Sequence, residues 1–167
     1  AQSINDIGQI AGGSTTQLGD LHAFIFVSGY MYDLGTLGGT SSIARSINID
    51  GHIVGESTTI GDRQIHAFLY ESGDMIDLGT LGGTFSVASD INVKGQVTGQ
   101  SEDANGFTHA FVYHNGAMMD LNSAIDPASG WILEDARSIN DVGQIAGQGV
   151  VGGLRHAYLL NPIAAIP

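Results

Sequence analysis

Cysteine is absent from the 167 residues, so neither disulfides nor thiolate metal sites hold this chain together. Basic residues are scarce. Five Lys and Arg stand against 17 Asp and Glu, a formal charge of −12 that repels phosphate backbones and anionic membrane surfaces. Nucleic acid is therefore excluded as an expected partner. No apolar run approaches the length of a membrane span, so no transmembrane segment is expected. Proline occurs only three times, and the 25 glycines lack the every-third-residue period of collagen. Also missing are a GxSxG elbow, a phosphate-binding loop and an HExxH zinc motif, and no catalytic residue is assigned. The chain opens at Ala1 without methionine or a signal peptide, as expected of a processed exported protein or of a fragment.

What is present is repetition. "SINDIGQIAG" at Ser3, "SINIDGHIVG" at Ser46, "DINVKGQVTG" at Asp90 and "SINDVGQIAG" at Ser138 are variants of one stretch. "HAFIF", "HAFLY", "HAFVY" and "HAYLL" follow them at His22, His66, His109 and His156. A third motif, "DLGT" or "DLNS", starts at Asp33, Asp77 and Asp120, and "DLGTLGGT" occurs twice in full. The histidines are spaced by 44, 43 and 47 residues, which is the signature of a tandem array.

Each period predicts four short strands. Asparagine followed three residues later by glycine suits a tight hairpin turn closed by a bulge. In "HAFVY", His109, Phe111 and Tyr113 alternate with Ala110 and Val112, so both faces are largely apolar and both expect packing. The longest connection, "LGGTSSIAR" in the first unit, is expected to carry the chain to the next "SIN" as a loop. The predicted fold is all-β: tandem four-stranded antiparallel units of about 44 residues, β-propeller-like, with an open β-solenoid of stacked meanders as the alternative. Residues 1–167 form a single repeat domain. Its units are approximately 3–45, 46–89, 90–137 and an incomplete 138–160, followed by a C-terminal tail, 161–167. The missing fourth strand leaves an unpaired edge, expected to be filled from upstream residues, from "NPIAAIP" or from a neighbouring chain.

The ordered motifs "SIN-D-x-G-Q-I-x-G", "HAF" and "DLGTLGG" resemble the bacterial extracellular HAF-repeat family across nearly the whole chain, Ser3 to about Leu160. The resemblance implies a secreted protein of the bacterial cell surface or extracellular matrix, and "NPIAAIP" is similar to the linker before a sorting tail. It brings no enzymatic reaction with it.

Candidate sites are few. His22, His66, His109 and His156 are candidates for a metal ring, and a divalent cation is the one cofactor the composition leaves room for; otherwise no cofactor is expected. The competing reading pairs each of the first three with Asp33, Asp77 and Asp120 of its own unit. Trp131, the only tryptophan, lies beside Asp126, Glu134 and Asp135 in the irregular connection after Asp120. Those four are the candidate ligand-binding residues, with sugar stacking as the chemistry; the alternative is that Trp131 plugs the last unit interface. The expected function is a non-catalytic structural or adhesive role, with protein assembly partners, self-association through strand edges, or extracellular polysaccharide. The alternatives are a glycan- or metal-binding module and a propeller-type hydrolase.

Overall fold

Alternation of small and large apolar residues, punctuated by glycine turns, produces fifteen strands in the computed structural model, which describes residues 1–162. They are β1 (Ser3–Ile4), β2 (Ile10–Thr15), β3 (Leu21–Val27), β4 (Tyr30–Asp33), β5 (Gly38–Ile47), β6 (Ile53–Thr59), β7 (Ile65–Glu71) and β8 (Asp74–Asp77). Then come β9 (Gly82–Ile91), β10 (Val97–Asp103), β11 (Thr108–His114), β12 (Ala117–Asp120), β13 (Ile132–Ile139), β14 (Ile145–Val151) and β15 (Leu154–Leu160). Two short 3-10 turns, Leu121–Ala124 and Pro127–Ser129, are the only helical segments among the described residues. The protein is all-β with antiparallel sheets. The tail residues 163–167 lie outside the described residues, and so does most of the segment expected to act as a linker.

Strands β1–β4 form one sheet, β5–β12 an eight-stranded sheet and β13–β15 a three-stranded one. The eight-stranded sheet consists of two antiparallel halves, β5–β8 and β9–β12, joined by a single parallel bridge between Ile65 and Phe85. Strand pairing closes neither a barrel nor a ring among the described residues.

The turns follow from residue type. In the first hairpin Gly8 N–H donates to Asn5 O at 3.0 Å, and Gly8 takes φ +82°, which glycine adopts without strain. Asn48 with Gly51 repeats the arrangement. The expected loop "LGGTSSIAR" is instead most of β5, paired with β6 from Gly38 to Ile47 through two register shifts. Its polar letters concealed a strand. The Ser42 hydroxyl is buried, accepting from Ala23 N–H at 2.8 Å and donating to Gly35 O at 2.5 Å. Ser86 does the same with Ala67 and Gly79. After Asp120 the turn is instead tied to the next strand by Asn122, which bonds both the N–H and the carbonyl of Leu133.

Successive strand groups pack face to face: β5 lies against β2 and β3, β9 against β6 and β7, and β13 against β10 and β11. Ala11, Ala23 and Leu34 meet Ile47, Ile53 and Phe68 in one core. Ala67, Leu69 and Leu78 meet Ile91, Val97 and Phe111 in the next. Ala110 and Leu121 meet Ile139, Ile145 and Tyr158 in a third. The alanine of each "HAF" thus faces the following strands, and Phe68, Phe111 and Tyr158 face the preceding ones. A buried aromatic or aliphatic side chain contributes about 1.5–3 kcal/mol, so each of these layers is a substantial share of the stability.

Polar bonds fix the stacking register. Asn5 Nδ2 donates to Asn48 O at 2.9 Å, Asn48 Nδ2 to Asn92 O at 3.1 Å, and Asn92 Nδ2 to Asn140 O at 3.1 Å. The Oδ1 of each of these asparagines accepts from its own turn, as from His52 N–H at 3.0 Å. One side chain therefore closes a turn and ties it to the next layer.

Candidate functional site

The histidines do not converge. His22 Nδ1 lies 2.8 Å from Asp33 Oδ2, His66 Nδ1 2.9 Å from Asp77 Oδ2, and His109 Nδ1 2.6 Å from Asp120 Oδ2. An ionised carboxylate only accepts, so Nδ1 carries the hydrogen in each pair. The third strand of each group supplies the histidine and the fourth the aspartate, brought together by the tight turn between them. Each aspartate also caps the following turn: Gly35 N–H donates to Asp33 at 2.8 Å, Gly79 N–H to Asp77 at 2.7 Å, and Asn122 N–H to Asp120 at 2.8 Å. Burial opposes ionisation of Asp33, but the Gly35 N–H and His22 outweigh it and hold its carboxyl below the ordinary aspartate range. His156 differs: its ring meets Trp131 edge-on, with centroids 6.2 Å apart. No cluster of three or more metal-ligating side chains occurs among the described residues.

Register adds a feature that sequence reasoning missed. Ser14 pairs across the ladder with His22, Ser57 with His66, and Ser101 with His109, so serine, histidine and aspartate occupy three adjacent strands three times over. The arrangement has the residues of a nucleophilic triad without its connectivity. Ser57 Oγ accepts from Leu37 N–H at 2.8 Å and donates to Ser41 O at 3.2 Å. Ser101 Oγ accepts from Leu81 N–H at 2.8 Å and donates to Phe85 O at 3.3 Å. Both hydroxyls are buried and committed to backbone, while His66 Nε2 is buried without a partner. The signal was in the sequence, as serine eight or nine residues before each of these histidines, but the strand register was needed to read it.

The four residues grouped around the tryptophan separate. Asp126 caps the second 3-10 turn, accepting from Ala128 N–H at 2.8 Å. Trp131 packs edge-on against Tyr158, centroids 6.4 Å apart, beside Ile125 and Leu133. Glu134 and Asp135 open to a different place, a groove of about 580 Å³ between β10–β11 and β13–β15. There Arg155 Nε donates to Glu134 at 3.0 Å and Arg137 Nε to Asp135 at 2.8 Å. Gln100, Gln148, Ile132 and Phe107, with Gly106, Thr108 and His109, complete its walls, and Phe107 is 65% exposed. Burial, with Asp135 nearby, holds the Tyr158 phenol above its usual range, so it stays a donor, to Asp135 O at 3.0 Å. The groove offers a planar apolar surface rimmed by amide and charged groups, which suits hydroxyl-rich ligands more than phosphates.

Comparison with family models, with curated proteins and with solved structures returned no match for this chain.

Proposed function

We propose that this protein is a non-catalytic structural or adhesive module of the bacterial cell surface or extracellular matrix, a propeller-like stack of repeated sheets that joins larger assemblies. The observation that carries the reading is the commitment of its chemically capable groups to architecture. Three His–Asp pairs close strand pairs, and two of the three serines beside them, Ser57 and Ser101, hold backbone amides. A nucleophile bonded to main chain on both its donor and acceptor sides has no free path to a substrate. The extracellular placement rests on the likeness to the HAF-repeat family. The test is a broad hydrolase panel together with cell fractionation: no turnover and recovery from the extracellular fraction are expected. Turnover abolished by His66→Ala would overturn the non-catalytic reading.

A second reading, glycan binding, is favoured by the Phe107–Arg155 groove. Phe107 offers a stacking surface, and Gln100, Gln148 and Glu134 offer bidentate hydrogen bonding to vicinal hydroxyls. Calorimetric titration with acidic and neutral polysaccharides, repeated with Phe107→Ala, decides between the two.

A further inference from the structure

In three places a strand bearing Met-x-Asp-Leu pairs with a "HAF" strand: Met31–Leu34 beside β3, Met75–Leu78 beside β7 and Met118–Leu121 beside β11. The register is the same each time. The aspartate lies opposite the aromatic (Phe24–Asp33, Phe68–Asp77, Phe111–Asp120) and the methionine opposite the residue two further on (Phe26–Met31, Tyr70–Met75, Tyr113–Met118). The leucine then closes the ladder, Leu34 N–H donating to Ala23 O at 2.9 Å and Leu78 N–H to Ala67 O at 3.0 Å. β15 carries the matching residues His156, Tyr158 and Leu160, yet among the described residues it is a sheet edge.

The surroundings of that edge resemble those of the three paired strands. His156 has no aspartate partner of its own sheet among the described residues, and its ring rests against Trp131. Where a methionine would stand beside Leu160 there is a largely apolar cavity of about 150 Å³, walled by Val112, Met119, Ile139 and Ile145, with Asn161 and Pro162 at its border. A second cavity, about 340 Å³, runs between Trp131 and Tyr158–Leu160 along the edge. After Leu160 the chain runs on beside the β13–β14 turn: Asn161 Oδ1 accepts from Gln144 Nε2 at 2.7 Å, and Pro162 lies near Gly143.

We infer that the β15 edge is an acceptor site for an extended segment of the pattern Met-x-Asp-Leu, added antiparallel, with its aspartate on His156 and its methionine in the cavity beside Leu160. Main-chain hydrogen bonds supply the pairing, and the two side-chain positions supply selectivity. The inference gives chemical identity to the assembly partner of the proposed scaffold, and in that sense rests on that reading.

The test uses the full chain and the peptide DMIDLGT, the sequence of Asp74–Thr80. Peptide binding is followed by calorimetry and by the fluorescence of Trp131, the sole tryptophan. Saturable binding with a change in Trp131 emission is expected. Peptides with Ser for Met, or Asn for the second Asp, should bind about tenfold more weakly, as loss of a buried apolar group or a charged hydrogen bond implies. In His156→Ala, an exposed position, the Asp and Asn peptides should bind alike. No binding, binding indifferent to both substitutions, or an outer β15 edge already protected from hydrogen exchange by residues 163–167 would overturn the inference. None of these outcomes bears on turnover or fractionation, so the scaffold reading stands or falls separately.

Discussion

Ser46 Oγ donates to Asp90 Oδ1 at 2.8 Å across 44 residues of sequence, and this bond is half of a clamp. The other carboxylate oxygen accepts from Ser138 Oγ and from Ile139 N–H, both at 2.9 Å. Asp90 stands where the other "SIN" motifs have serine, and that one replacement ties β5, β9 and β13 together. Asp90→Ala removes an acceptor from four donors, these three and Ile91 N–H at 3.0 Å, and should cost about 1–3 kcal/mol. Urea denaturation measures it. Asp90→Asn, which keeps one acceptor oxygen, should cost less.

Asn48 is buried, and its side chain serves its own turn and the next layer at once. Asn48→Ala takes one of two donors from the Asn92 carbonyl, strands the Asp50 and His52 N–H groups, and should destabilise by about 1–3 kcal/mol. Asn48→Asp keeps the turn acceptor but loses the donor. The difference between the two variants in thermal melts isolates the inter-layer bond.

Gly55 packs against the bulge in β5, and a Cβ placed there would stand 1.9 Å from the Ile43 carbonyl oxygen. Backbone must move to admit it. Gly55→Ala should therefore destabilise by about 1–3 kcal/mol or more, whereas Gly61→Ala, with open space around it, loses only the ease of its positive φ. Paired chemical denaturation of the two variants checks the contrast.

Acid should weaken the protein through its aspartates. Asp103 is held below its ordinary value by Phe107 N–H and Asn105, Asp62 by Thr58 and Thr40, and Asp33 by Gly35 and His22 against the opposing effect of burial. A depressed folded value means the stabilisation is complete above the ordinary pKa of 3.8 and is lost as pH falls through the lower folded values. Stability should thus be insensitive to these groups from neutral pH to about 4 and decline below it. Asp103→Asn should flatten that decline in melts recorded across the acid range.

Asp77→Ala removes the partner of His66 Nδ1 and the cap on Gly79 N–H together. The His66 side chain is only 14% exposed, so a cost of about 1–3 kcal/mol is expected from the stranded donors. The same substitution should leave the Phe107 groove unchanged, which titration of any groove ligand verifies.

The strands at "HAF" were legible because His66, Phe68 and Tyr70 alternate with Ala67 and Leu69, a period that only an extended chain turns into two packed faces. The His–Asp partnership was legible too, since the intervening turn brings residues eleven apart together. β5 and β9 were hidden by their serines, threonines and glycines, which look like loop but hold buried hydrogen bonds. The Phe107–Arg155 groove was not legible, because it is assembled from strands remote in sequence. The asparagine bonds were half visible: separations of 43, 44 and 48 residues repeat the spacing of Asn5, Asn48, Asn92 and Asn140, but the letters suggested only turns.

The asparagine bonds all point one way, each side chain giving its hydrogen toward the higher-numbered neighbour. Among the described residues the series therefore has a sense: Asn5 only gives such a bond, Asn48 and Asn92 both give and receive, and Asn140 only receives. A further unit stacked through the same bond would keep that polarity, because an amide donor must meet a carbonyl acceptor.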